Sequence, residues 1–172
     1  MSDVLVDMSV QVYDGISLST CQVDTSQTFT YTAGTLVGGL VEMFRGDGDK
    51  RHLDLAHNVS ESVIKWAFRC EIKMLFCLPR KMTKKGVLME PCDSNRSCNL
   101  DASIFKGIFV RNLRYLLDMT EDKDRGRLYR RFLKTNIASL RHNASCDPQP
   151  HHNHTCHIVY LDGAPSYPAT GP

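Results

Sequence analysis

From Thr35 onward the apolar residues Leu36, Val37, Leu40, Val41 and Phe44 recur at one-and-four spacing, which places them on one stripe of a helix that Gly46 and Gly48 end. Leu53, Ala56, Val59, Val63 and Ala67 repeat the stripe. The two predicted helices are separated by a loop of about six residues, a length usual between antiparallel neighbours. Ile104, Phe105, Ile108, Phe109, Leu113, Leu116 and Leu117 form a third stripe, with Lys106, Arg111 and Arg114 for the wetter face. After a break at Thr120 to Gly126, Leu128, Phe132, Leu133, Ile137 and Leu140 make a returning helix that ends before Pro148 and Pro150. Ahead of the first helix the period changes: Val4, Val6, Met8, Val10 and Val12 alternate, as in a strand with one buried face. Asp14-Gly15 signals a turn, and residues 19–33, rich in Ser, Thr, Gln and Asp, read as an exposed connecting loop.

The unit of repetition is thus the helical hairpin, and the predicted class is all-α, built as toroids and solenoids are. Two stretches do not follow it. Residues 69–85 mix Cys70, Cys77, Pro79 and several basic residues without a period, and residues 144–172 hold five of the seven prolines. The division predicted is a domain over 1–143 with an insert at 69–85, then an irregular tail over 144–172. Both stretches read as surface insertions or as translated sequence foreign to the domain.

Composition narrows the partners. With 42% hydrophobic and 23% charged residues in 172, the chain is an ordinary globular one, and 21 basic against 19 acidic residues leave a formal charge of +2. That is far from the concentrated basic face a nucleic-acid partner needs, and none is expected. Asp3, Asp7, Glu42, Lys65 and Arg69 interrupt every apolar stretch, so none reaches the roughly 18 to 20 residues of a transmembrane helix.

Signals for the compartment conflict. The N-terminus has no basic region followed by an apolar run, and so does not read as a secretory leader. Yet Asn58, Asn95, Asn143 and Asn153, four of the seven asparagines, begin Asn-x-Ser/Thr triplets, where chance supplies about one. Seven cysteines lean the same way. Cys92 and Cys98 enclose a short polar loop that one disulfide can close. A secreted or cell-surface protein whose beginning lies upstream of Met1 reconciles these signals, and a cytosolic helical scaffold is the competing reading. His151, His152, His154 and His157 with Cys146 and Cys156 offer zinc-type ligands, but at no spacing of a closed site. No metal and no cofactor is assigned.

Several segments together resemble a known family. Tyr13-Asp14-Gly15-Ile16, the run Thr28 to Leu40, and His52-Leu53-Asp54-Leu55-Ala56 occur in the order found in the endo-α-1,6-mannanase family, glycoside hydrolase family 76. Gly86 to Cys92, Ser97-Cys98-Asn99 and Phe105-Lys106-Gly107-Ile108-Phe109-Val110-Arg111 resemble its fungal branch, which includes cell-wall proteins acting on GPI-anchor mannose. The resemblance implies a partial (α/α)6 toroid, roughly its second half, with α-1,6-mannan or GPI-anchor mannose as partner and retaining hydrolysis or transfer as chemistry. It also implies a cell-wall or secreted location, with a lipid anchor possible in a longer protein.

In that family the working carboxylates are an adjacent Asp-Asp pair, and this sequence contains none. Glu121-Asp122 sits in an inter-helix turn and reads as helix-start chemistry. No catalytic residue is therefore assigned, and a non-catalytic mannan-binding or wall-structural protein is the alternative. The resemblance leaves a sugar-binding wall. Asp14 has two oxygens to accept adjacent sugar hydroxyls, or else forms an ordinary Asx turn. Tyr31, Thr32 and Gly34 align with the family's Tyr-Asn-x-Gly segment, Thr32 replacing the amide. Phe105 offers a ring to stack and Lys106 an ammonium to donate, with a core position the other reading of Phe105. Glu90 reads as a sugar contact or a solvated loop carboxylate.

Overall fold

The computed structural model describes residues 11–25, 28–69, 82–94, 97–146 and 156–158. Most of the alternating run over 4–12 and most of the insert lie outside them. The described chain contains four long helices: α1 (Thr30–Asp47), α2 (Lys50–Arg69), α3 (Leu100–Asp118) and α4 (Lys123–Asn143). They pair as the hydrophobic stripes predict, α1 with α2 and α3 with α4.

Gly48 and Asp49 alone separate α1 from α2, a tighter connection than the expected loop. Gly48 adopts φ 71°, the left-handed conformation that costs glycine least, and its N–H donates to the Phe44 carbonyl at 2.8 Å. Asp49 then accepts from the Arg51 N–H at 3.0 Å, so one residue ends a helix and the next starts one. Asn99 caps α3 by accepting from Ala102 N–H at 2.9 Å. Asp122 accepts from the N–H groups of Asp124 and Arg125, both at 2.8 Å, and so starts α4.

The polar loop expected over 19–33 is corrected by the structure. The first helix begins at Thr30, five positions before the expected start at Thr35, and Thr28 and Thr30 are buried. Local propensity argues against helix in this β-branched and aromatic run, but tertiary packing overrides it. Ahead of the helix, an isolated antiparallel bridge joins Ile16 and Val23.

The core lies between α1, α2 and α3 and is closed by α4. Val37, Val41, Val59, Phe109, Leu113, Leu116 and Tyr129 are all fully buried. Gly34 and Gly38 of α1 face Phe109 and Asn112 of α3, so the two helices run parallel and begin at the same end of the molecule. A Cβ at Gly34 would stand 2.6 Å from the Phe109 Cα. The backbones meet there.

Two short ladders complete the described chain. Thr83–Lys84 (β1) and Val87–Leu88 (β2) form an antiparallel hairpin whose two turn residues, Lys85 at φ 52° and Gly86 at φ 79°, give the primed turn that suits strand twist. Asn136 of α4 holds this hairpin: its Oδ1 accepts from Leu88 N–H at 2.8 Å and its Nδ2 donates to the Gly86 carbonyl at 3.0 Å. The end of the aperiodic insert is therefore ordered structure. Within the expected irregular tail, Ala144–Cys146 (β3) pairs antiparallel with Cys156–Ile158 (β4), Cys146 opposite Cys156. Pairing across nine intervening residues left no local periodicity to read.

Glycine substitutions in α1 should divide by position. Gly34→Ala is expected to lower stability by about 1–3 kcal/mol through overpacking against the α3 backbone. Gly39→Ala, which meets nothing within 4 Å, should raise it by about 0.5–1 kcal/mol. Urea unfolding of the two variants checks the opposite signs.

Candidate functional site

Because α1 and α3 are parallel and in backbone contact, the first turn of α1 lies beside the second turn of α3. Three aromatic rings meet there. Phe105 of α3 lies 4.4 Å from Tyr31 and 5.4 Å from Phe29, centroid to centroid, and Phe29 and Tyr31 stack at 6.0 Å. All three are half-buried. The Tyr31 hydroxyl donates to Asp14 Oδ1 on the loop before α1. Burial first, and then that hydrogen bond, push the Tyr31 phenol up to about 12, so it stays protonated and donating.

Beneath the rings lies a polar brace. Phe29 offers α1 no side-chain cap. The cap comes instead from Glu90, 60 residues away in sequence: Oε2 accepts from Thr30 N–H at 3.1 Å, and Oε1 accepts from the Thr30 hydroxyl. Glu90 is 2% exposed. Its own N–H donates to Asp93 Oδ2 at 2.7 Å, and that carboxylate pairs with Lys106 Nζ of α3 at 2.5 Å. A disulfide between Cys92 and Cys98 closes the segment that carries Asp93. Burial raises the Glu90 carboxyl to about 7, against the pull of the Thr30 hydrogen bonds and of Lys106.

The residues singled out from sequence separate on this geometry. Asp14, Tyr31 and Phe105 share one surface. One of Asp14's two oxygens is already taken by Tyr31, so bidentate capture of a sugar through both is not what the site presents. Lys106 points its ammonium at Asp93. Glu90 is no solvated loop carboxylate, because two bonds to Thr30 replace its water. Gly34 lies at the helix crossing, where it has a packing role. The Thr32 hydroxyl donates to the Phe29 carbonyl at 2.7 Å. Asn58 is exposed midway along α2, while Ser60, the third residue of its triplet, is fully buried. A glycan at Asn58 therefore has to be attached before α2 folds. Asn143 ends α4, and Asn95 and Asn153 lie outside the described residues, as do the tail's His151, His152 and His154.

Phe29, Thr30 and Asp93 were missed from sequence. Phe29 and Thr30 fall in the run read as exposed loop, although the alternation of Thr with Phe and Tyr over 28–32 was a signal that one face is covered. Nothing local marked Asp93. Among the described residues, Cys92, Asp93 and Cys98 also bring potential metal-ligand atoms within 4.8 Å of one another. Both sulfurs are spent in the disulfide, which leaves no thiolate for a metal.

A second, partly buried polar group joins the middle of α2 to the first two turns of α4. The Tyr129 hydroxyl and His57 Nδ1 are 2.9 Å apart, and Arg125 Nε donates to Glu61 Oε1 at 2.9 Å beside them. Burial, then the Arg125 charge, lower the His57 pKa and keep the ring neutral.

The profile of glycosyl hydrolase family 76 matches residues 1–167. The chain belongs to this family. A Schizosaccharomyces pombe protein named as a candidate mannan endo-1,6-alpha-mannosidase is 27% identical over 110 residues, covering 63% of this chain and 22% of that protein. Among solved structures, an inactive variant of an alpha-1,6-mannanase of Salegentibacter sp. HEL1_6, with two consecutive aspartates replaced by asparagine and alpha-1,6-mannotriose bound, is similar at TM-score 0.65 and 25% identity. That match covers 83% of this chain and 38% of the mannanase. The Lin0763 protein of Listeria innocua matches at TM-score 0.61 and 27% identity, over 84% of this chain and 35% of that one. The hairpins α1–α2 and α3–α4 are thus part of the family's helical toroid, and the chain spans well under half the length of these relatives.

The buried carboxyl makes stability depend on pH. The folded Glu90 keeps its proton up to about 7 while the unfolded group loses it near the ordinary 4.5. Its ionisation therefore costs stability, which falls as pH rises between those values, by roughly 3 kcal/mol at most. Glu90→Gln removes the titration. Denaturant midpoints of wild type and variant should be closest at pH 4.5 and diverge, wild type becoming the weaker, up to pH 7.5.

Proposed function

We propose that this chain supplies part of the mannan-contacting surface of a mannan endo-1,6-α-mannosidase-like glycosidase or transglycosidase of fungal cell-wall biogenesis, and that the chain alone does not cleave. The reading is carried by the cluster of Phe29, Tyr31 and Phe105 beside Asp14. Rings of this kind cover the C–H faces of a sugar, while a phenol and a carboxylate at their edge fix the hydroxyls. Family membership and the mannotriose bound to the Salegentibacter relative support it.

The absence of cleavage rests on the sequence. The inactive relative lacks two consecutive aspartates, and no two aspartates are consecutive here. Retaining hydrolysis needs a nucleophile and a general acid roughly 5 to 5.5 Å apart. Glu90, with its raised pKa, resembles a general acid in that respect only, because it is buried against Thr30. The same lack of paired aspartates favours the second reading, a non-catalytic mannan-binding or wall-structural protein. Secretion, glycosylation at Asn58, Asn95, Asn143 and Asn153, and GPI-anchor mannose as the natural ligand belong to the proposal as well.

Titration calorimetry with α-1,6-mannotriose is expected to detect binding by the purified chain. Phe105→Ala should weaken it at least tenfold, about 1.4 kcal/mol, and α-1,6-mannan incubated with the chain should show no new reducing ends. Absence of binding by the wild type removes the mannan reading, and efficient release of reducing ends removes the claim of inactivity. Cleavage by a longer product of the same gene favours the enzyme over the structural protein.

A further inference from the structure

Buried carboxylates are costly unless something they hold is needed. Here two of them, Glu90 and Asp93, sit on one short segment between β2 and α3. Each reaches a different helix within its first two turns: Glu90 takes the N–H and hydroxyl of Thr30 on α1, and Asp93 takes the Lys106 ammonium on α3. They are linked to each other through the Glu90 N–H. The side chain of Asp93 is 5% exposed, Thr30 is fully buried, and the Cys92–Cys98 disulfide fastens the segment. Next in sequence to the two anchored residues stand Tyr31 and Phe105, whose rings lie 4.4 Å apart.

We infer that Glu90 and Asp93 are positioning residues for the sugar surface, a cross-brace between α1 and α3 that sets the Tyr31 ring and hydroxyl against Phe105 and Asp14. The inference rests on the mannan reading for its ligand, but its geometry does not. The glycine contact holds the helix axes together one to two turns further along, at Gly34 and Gly38. The start of α1 lies one turn before that contact, and side-chain bonds from outside the helices tie it down. The carboxylates act through Thr30 and Lys106 and are not assigned contact with sugar. Neutral Thr30→Val keeps volume and charge while deleting one bond to Glu90, and Thr30→Ser restores the hydroxyl. Asp93→Asn keeps shape while deleting the charge pair with Lys106.

The test is carried out on the full chain labelled at the tyrosine phenolic carbon, the Tyr31 resonance being identified by its loss in Tyr31→Phe. In Thr30→Val and Asp93→Asn the Tyr31 resonance should move toward that of an exposed tyrosine while the far-ultraviolet helix signal is kept, and mannotriose affinity should fall about tenfold. Thr30→Ser should stay within about twofold of wild type in affinity. An unmoved Tyr31 resonance in either folded variant, or unchanged affinity despite a moved one, overturns the inference. If Thr30→Val does not fold, Asp93→Asn decides alone. If wild type binds no mannotriose, the mannan reading falls, and the resonance alone upholds or overturns the brace.

Discussion

The constraint on which the rest of the structure depends is the backbone contact between α1 and α3. Gly34 and Gly38 fall four residues apart on one face of α1 and remove the side chains that would keep the helices separate, so Phe109 and Asn112 of α3 come up against bare backbone. Two consequences follow. The helices are parallel, because successive glycines meet successive turns of α3, and the first turn of α1 is set beside the second turn of α3. Everything of chemical interest among the described residues at that end, from the aromatic rings to the Glu90 carboxyl, is gathered by this register. Close packing makes it unforgiving, since a single methyl group at Gly34 has no space to enter.

Polar groups then fix what the apolar contact leaves loose. At the amino end of α1 and α3, Glu90 and Asp93 reach helices from a segment that is itself held by the β1–β2 hairpin on α4 and by a disulfide. Between the middle of α2 and the first two turns of α4, His57 with Tyr129 and Glu61 with Arg125 join the two hairpins. The groups respond to pH in opposite directions. Lowered in the fold, the His57 pKa makes stability fall as acid charges the ring, whereas raised in the fold, the Glu90 pKa makes stability fall as base ionises the carboxyl.

The four helices were legible because each carries an uninterrupted apolar stripe, and the turn at Asp122 because acidic side chains before a helix start have a local meaning. The start of α1 was not. Thr28, Thr30 and Thr32 look like loop residues until their partners are known, and the partner of Thr30 lies 60 positions away. Gly34 was read with the sugar site because its neighbours match a family motif, yet its requirement comes from the α3 backbone. Glu90 shows the same limit: nothing adjacent to it in sequence says that it is buried. The Lys85-Gly86 turn was readable in principle, but two-residue strands on either side gave it no hydrophobic frame. The rings of Tyr31 and Phe105 were both singled out from sequence, while Phe29, lying between them in function and hidden in a polar run, was not.

The central claim is that the first turn of α1 and the second turn of α3 form one ligand-facing surface. Backbone amide shifts followed while α-1,6-mannotriose is added to the isotopically labelled chain test it most directly. The account predicts that the largest changes gather at Asp14, Phe29 to Thr32 and Phe105 to Lys106. Changes centred instead on the His57–Tyr129 pair, or scattered along the exposed faces of α2 and α4, would contradict it.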